Sequence, residues 1–121
     1  NVTLTGGVAL QTQESWCEFI SKDLQSISFG GNAAELYFEE DKFDDFLKKL
    51  AAIKGIFYVH PVQQYSWGQR VIRFYDPDFH ILEVGENMKS VCRRFLDSGM
   101  TIEAAAVRMN VPEKFVRACV R

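Results

Sequence analysis

Two runs rich in β-branched and aromatic residues, one from Arg70 to Tyr75 and one from Phe79 to Val84, flank the turn Asp76-Pro77-Asp78. This is the pattern of two strands joined by a turn whose chemistry is already in place. One carboxylate, Glu83, interrupts the second run between Leu82 and Val84. Side chains alternate along a strand, so Glu83 points away from the face that buries Leu82 and Val84. A carboxylate fixed on a strand is well placed to ligate a metal or to act as a base; on a half-solvated sheet the same residue is simply an exposed glutamate. Glu35 repeats the arrangement in the segment 34–39, where Leu36 and Phe38 take one face and Glu35 and Tyr37 the other. Two carboxylates brought together repel unless a cation or a shared proton lies between them, which makes metal binding and proton transfer the chemistries to look for. Arg70, Arg73 and Tyr75 lie on the strand beside Glu83. Whichever of them share its face would hold an anionic substrate by charge-assisted hydrogen bonds. Both faces of that strand mix apolar and charged residues, so alternation alone does not choose between them.

The elements that position these residues follow from periodicity. The chain opens with Val2-Thr-Leu-Thr, Gly6-Gly7 and Val8-Ala-Leu-Gln-Thr12, a hairpin signal in which Gln11 shares a face with Ala9. From Gln13 to Gly31 the pattern is irregular, with Trp16, Phe19, Ile20 and Leu24 suggesting one short amphipathic helix in a connector. The strand bearing Glu35 comes next. Asp41 then stands where an N-cap belongs, and Phe43, Phe46, Leu47 and Leu50 predict a helix over 42–53, stopped by Gly55. Residues 56–60 read as a strand ended by Pro61, and a polar loop through Trp67-Gly68 leads into the strand pair around Asp76. His60 and His80, the two histidines, fall at strand edges facing away from the carboxylates and read as structural.

The order strand, helix, strand, strand, strand over residues 34–85 resembles the βαβββ module of the vicinal-oxygen-chelate superfamily, which includes glyoxalase I, extradiol dioxygenases and bleomycin- or fosfomycin-resistance proteins. Two segments carry the resemblance: Glu35 to Asp44, similar to the family's ligand strand running into its helix, and Gly68 to Glu83, similar to its final hairpin. Phe79 departs from the glycine usual after Asp-Pro-Asp, so the turn lacks the residue best suited to positive φ. The resemblance implies an α+β fold in which paired modules form a curved, cup-shaped mixed sheet around a divalent metal. It places Glu83 on the family's C-terminal ligand, Glu35 on the position that starts the second module, and Gln11 near the ligand on the last strand of the first. The implied metal set is thus Gln11, Glu35 and Glu83, with Glu83 and Glu35 also the catalytic candidates and Arg73, Tyr37 and Tyr75 the substrate-binding ones. Such an oxygen-only set suits Mg or Mn better than Zn, with Ni also a candidate. Residues 1–87 then make the glyoxalase-like domain: 1–12 the end of a first module, 13–32 a connector and 33–87 the second module. The chain begins at Asn1 rather than Met, and roughly 30 to 40 residues of strand, helix and strand are expected to precede it in a complete module. Two open sheet edges are then exposed, and a homodimer is expected to cover them.

Residues 88–121 form a chemically distinct extension. They hold 7 basic and 3 acidic side chains, against 7 basic and 13 acidic in residues 1–88. The pattern predicts three short helices: one over 89–98 bearing Val91, Phe95 and Leu96, one capped by Thr101, and one opened by Pro112 and bearing Phe115, Val116 and Cys119. The segment from Thr101 to Val116 is similar to helix-turn-helix sequences, and Lys114, Arg117 and Arg121 would lie on its recognition helix. A basic helical unit packed on an acidic body is the favoured reading, and nucleic acid is the lesser one. With 47% hydrophobic and 25% charged residues the composition is that of a globular domain, and no apolar run approaches the roughly 20 residues of a membrane span. A cytoplasmic location is expected. Cys17, Cys92 and Cys119 are odd in number and widely spaced, which argues against a disulfide framework or a thiolate zinc site. Two functional readings stand side by side: a divalent-metal-dependent lyase or isomerase acting on a small oxygenated substrate, with a dioxygenase behind it, or a metal-free small-molecule binding or resistance-type protein, including a sensor coupled to the basic tail.

Overall fold

The computed structural model describes residues 2–120, so Arg121 of the expected recognition helix lies outside the described residues. The chain divides into two units, residues 1–31 and 32–121. In the first, β1 (Val2–Thr3) pairs antiparallel with β2 (Ala9–Leu10). The Gly-Gly turn between them uses φ values of 93° and 86°, which only glycine adopts without strain. A helix, α1 (Gln13–Ile20), follows at once, capped by the Thr12 hydroxyl accepting from the Ser15 amide.

The second unit contains the expected βαβββ order: β3 (Glu35–Glu40), α2 (Phe43–Ala51), β4 (Tyr58–Gln64), β5 (Arg70–Tyr75) and β6 (Ile81–Glu86). The sheet is mixed and open, in the order β3-β6-β5-β4, with β3 parallel to β6 and the other pairs antiparallel. A parallel pair needs a long crossover, which α2 and the two intervening strands supply. The apolar stripe of α2 packs Phe43, Phe46, Leu47 and Leu50 on Ile72, Phe74, Leu82 and Val84, which fixes the buried face of the sheet. Each large side chain sealed there stabilises the unit by about 1.5–3 kcal/mol. The helix is not capped by Asp41. Lys42 is the capping residue, without a side-chain bond, and the Glu40 carboxylate accepts from its amide instead.

Two further details differ from the sequence expectation. Strand β4 does not end at Pro61 but runs through it to Gln64. Pro61 is tolerated because β4 is an edge strand, and it lies within the second of two register shifts that flank His60. At the β5–β6 turn Phe79 takes the positive φ (63°) that its residue type disfavours. Asp76 holds it there by accepting from the amides of Asp78 and His80, and the Phe79 ring lies against those of Phe57 and Tyr75.

The tail forms α3 (Met88–Asp97), α4 (Ile102–Met109) and α5 (Glu113–Cys119), around a small core of Val91, Cys92, Phe95, Ala106, Met109 and Val116. It is tied to the sheet through the β4–β5 loop. Arg94 donates to the Gly68 carbonyl at 2.6 Å, Arg108 donates to the Ser66 carbonyl at 2.8 Å, and the Phe95 ring lies directly beneath Gly68. Glu86, buried at the end of β6, closes the junction by accepting from Arg70 at 3.1 Å and Arg94 at 2.7 Å. These two cations hold its carboxyl below the usual range against the opposing effect of burial. Among the described residues no helix is long and apolar enough to cross a membrane.

Candidate functional site

The face of the sheet opposite α2 is polar, and register decides what stands on it. Glu83 on central strand β6 is paired with Arg73 of β5 on one side and with Tyr37 of β3 on the other. Glu35 lies two residues from Tyr37 on β3 and Tyr75 two residues from Arg73 on β5, both of the same parity. Arg70 has the opposite parity and turns toward α2, where it pairs with Asp44 and Glu86. The strand whose face the sequence left open therefore contributes Arg73 and Tyr75 to the polar face and withholds Arg70.

Arg73 is the centre of this face. Its Nε donates to Glu35 at 2.8 Å, its Nη2 lies 3.1 Å from Glu83, and its Nη1 donates to the Tyr65 hydroxyl at 2.6 Å and to His60 Nε2 at 3.2 Å. All three guanidinium nitrogens are engaged, each toward a different acceptor group. His60 lies 2.7 Å through Nδ1 from the Pro61 carbonyl. Nδ1 must donate there and Nε2 must accept from Arg73, so the hydrogen bonds assign the tautomer. This corrects the expectation that His60 faces away from the carboxylates. The shift of register between Tyr58 and His60 turns the histidine onto their face.

The two carboxylates differ in electrostatic state although one arginine serves both. Burial, then the hydrogen bond its protonated carboxyl donates to Glu35, pushes Glu83 up to about 7, with Arg73 acting the other way. The Arg73 hydrogen bond holds Glu35 below the usual carboxylate range. Near neutrality Glu35 is ionised and Glu83 exchanges the single proton that the pair shares. That combination, a proton held at a strand-fixed carboxyl beside a fixed cation, is suited to giving or taking a proton.

The remaining sequence candidates are placed as follows. The Tyr37 hydroxyl donates to Glu39 at 3.1 Å and accepts from Gln69 at 2.9 Å, and burial raises its pKa. The Tyr75 hydroxyl donates to Asn32 at 2.9 Å. Gln11 belongs to the N-terminal unit, where its side-chain oxygen accepts from the Ser15 hydroxyl at 3.1 Å. Tyr65, Trp67 and Gln69 escaped the sequence reading because they sit in or beside an irregular loop with no period to betray a face. Trp67 stacks on Tyr65 with ring centroids 4.4 Å apart, and its indole N–H donates to Gln69. Among the described residues, ligating atoms of Asp76, Asp78 and His80 lie within 4.8 Å of one another. Their hydrogen bonds close the β5–β6 turn.

Residues 1–89 match the family described as Glyoxalase-like domain, and the chain belongs to that family, within the vicinal-oxygen-chelate superfamily. Two solved structures are similar to it. A protein of unknown function from Agrobacterium tumefaciens is 38% identical over 60% of this chain and 56% of its own, with a TM-score of 0.48. A member of the glyoxalase/bleomycin resistance protein/dioxygenase superfamily from Sphaerobacter thermophilus is 27% identical over 43% of this chain and 41% of its own, with a TM-score of 0.38. The chain thus spans about half the length of the structures it matches. No curated protein matches it.

Proposed function

We propose that this domain binds a small oxygenated molecule on the polar face of its sheet without a resident metal, using Glu83 as a hydrogen-bond donor or acceptor of adjustable charge. The observation that carries this reading is the position of Arg73, which bonds to both Glu35 and Glu83. A divalent ion at this site would draw on the same two carboxylates, yet a guanidinium already neutralises them and fills the space they point into. The residues as arranged do not fit a resident ion. Hydroxyl groups of Tyr37, Tyr65 and Tyr75 line the same face and are suited to a ligand rich in oxygens.

A lyase or isomerase remains the second reading, favoured by the Glu83 carboxyl at about 7. In that case Glu83 would take a proton from carbon beside a substrate carbonyl and Arg73 would steady the developing charge on oxygen. A homodimer also belongs to the proposal. Strands β3 and β4 are open edges of the sheet, and Leu36 and Phe38 on β3 are 41% and 45% exposed.

The test uses protein stripped with EDTA and a panel of small hydroxy ketones, oxo acids and diols, followed by tryptophan fluorescence, since Trp67 stacks on Tyr65 beside Arg73. Binding to stripped protein that is lost in Glu83→Ala supports the reading. Binding that appears only after a divalent ion is restored contradicts it. Solvent deuterium entering a bound hydroxy ketone, and lost in Glu83→Gln, would select the enzyme over the binder.

A further inference from the structure

We infer that the β4–β5 loop couples the polar face to the helical tail, so that the stability of the tail depends on what Arg73 and Tyr37 are bonded to. The inference rests on the binding reading above and adds to it the regulation of the same site.

The loop has two sides. Its alternate side chains serve the polar face: the Tyr65 hydroxyl accepts from Arg73 at 2.6 Å, Trp67 stacks on Tyr65, and Gln69 donates to the Tyr37 hydroxyl at 2.9 Å. The carbonyls of the residues between them, Ser66 and Gly68, turn to the tail and accept from Arg108 of α4 and Arg94 of α3. Two backbone hydrogen bonds, from Gly68 to Tyr65 and from Tyr65 to Gln69, both 2.9 Å, close these five residues into one turn. A turn closed in this way cannot shift on one side without shifting on the other.

Gln69 makes the connection specific. It is 5% exposed, and its amide is fully used: the nitrogen donates to Tyr37 and, at 3.0 Å, to the Glu86 carbonyl, while the oxygen accepts from Trp67. Glu86 is also the residue whose carboxylate receives Arg94. Gly85 supplies the room, since a Cβ there would lie 2.7 Å from the Gln69 nitrogen and 3.3 Å from the Tyr37 ring. A second route leaves the same tyrosine. Its hydroxyl donates to Glu39, which accepts from Asn87, the N-cap of α3. Any member of such a network that moves leaves a neighbour without its partner, and that is how a change on the face reaches the tail. A ligand that draws Arg73 or the Tyr37 hydroxyl to itself therefore loosens the hold on α3 and α4.

Native-state hydrogen exchange of the full chain, followed by NMR, compares α4 with α2, which packs on the opposite face of the sheet. Tyr37→Phe, Tyr65→Phe and Gly85→Ala are each expected to raise exchange in α4 relative to α2 by at least about threefold. Gly85→Ala displaces only the flexible end of Gln69, so the strand tolerates it. Tyr75→Phe removes a hydroxyl from the same face, but one bonded to Asn32, and should leave the ratio unchanged. In Tyr65→Phe combined with Arg108→Ala the rise should fall short of the product of the single effects, because the Ser66 carbonyl is already released. An unchanged ratio in Tyr37→Phe and Tyr65→Phe, or an equal rise in Tyr75→Phe, overturns the inference. If one of the tyrosine variants fails to fold, the other and Gly85→Ala decide by the same criterion. No ligand enters this experiment, so its failure leaves the binding reading standing, and failure of that reading leaves the measured coupling intact.

Discussion

Replacing Glu83 by glutamine isolates the shared proton. The Glu83 carboxyl lies at about 7 against 4.5 for an unperturbed glutamate. At about 1.4 kcal/mol per unit, ionising it inside the fold costs on the order of 3 kcal/mol. The side chain is only 9% exposed, so solvent screening does not erase that cost. Because the folded pKa is raised, the native state binds more protons than the unfolded chain between about 4.5 and about 7. The contribution of Glu83 to stability is therefore complete below that window and is lost as pH rises through it. Glu35 has a lowered pKa and acts in the opposite sense, its contribution being lost only as pH falls below the usual carboxylate range, so the two effects occupy separate windows. Glutamine keeps a donor for Glu35 and an acceptor for Arg73 but cannot ionise. Urea unfolding followed by circular dichroism at about pH 5 and about pH 8 should show wild type and variant close together at the lower value. At the higher one the variant should be the more stable by about 2–3 kcal/mol. An equal difference at both pH values would refute the reasoning, because it would mean that Glu83 titrates alike in the folded and unfolded chains.

Gly68→Ala should cost about 2–3 kcal/mol, since its Cβ would collide with the Phe95 ring and its φ is 88°; a loss under about 0.5 kcal/mol in the same urea assay would deny that the loop is clamped on the tail. Glu86→Ala leaves Arg70 and Arg94 without their shared buried partner and should destabilise by about 3 kcal/mol, with hydrogen exchange in α3 rising first. Phe95→Ala should cost about 3 kcal/mol and expose the tail to limited proteolysis before the sheet. Duplex DNA should bind weakly at physiological salt, because Arg117 of α5 is paired with Glu113; tight sequence-specific binding lost in Arg117→Ala would reverse that expectation.

What was readable in advance followed from periodicity. Leu36 and Phe38 alternate with Glu35 and Tyr37, Phe43 to Leu50 recur at helical spacing, and Glu83 stands alone between apolar neighbours, so the βαβββ order and the common face of the two glutamates needed no tertiary knowledge. Thr101 likewise announced the start of α4, where its hydroxyl accepts from the Ala104 amide. The face of Arg73 was not readable, because charged residues lie on both sides of β5 and only its pairing with Glu83 orients it. His60 departs from its parity because alternation assumes an unbroken ladder, and the register of β4 shifts on both sides of it. Tyr65 and Gln69 reach the polar face from an irregular loop, and long-range contacts such as Gln69 to Tyr37 leave no local signature. The site is accordingly half a matter of strand parity and half a matter of a bulge and a loop.

Carboxylate-detected NMR of protein labelled with 13C in its glutamates follows the pair itself. Titration of the EDTA-stripped protein should show the Glu83 side-chain carbon changing with a midpoint near 7 and that of Glu35 changing below the usual carboxylate range. The Arg73 guanidinium protons should remain visible and slowly exchanging throughout, held by Glu35 and Glu83. Two ordinary carboxylate midpoints, with guanidinium protons lost to rapid exchange, would contradict a shared proton under a fixed cation and remove the basis of the metal-free site.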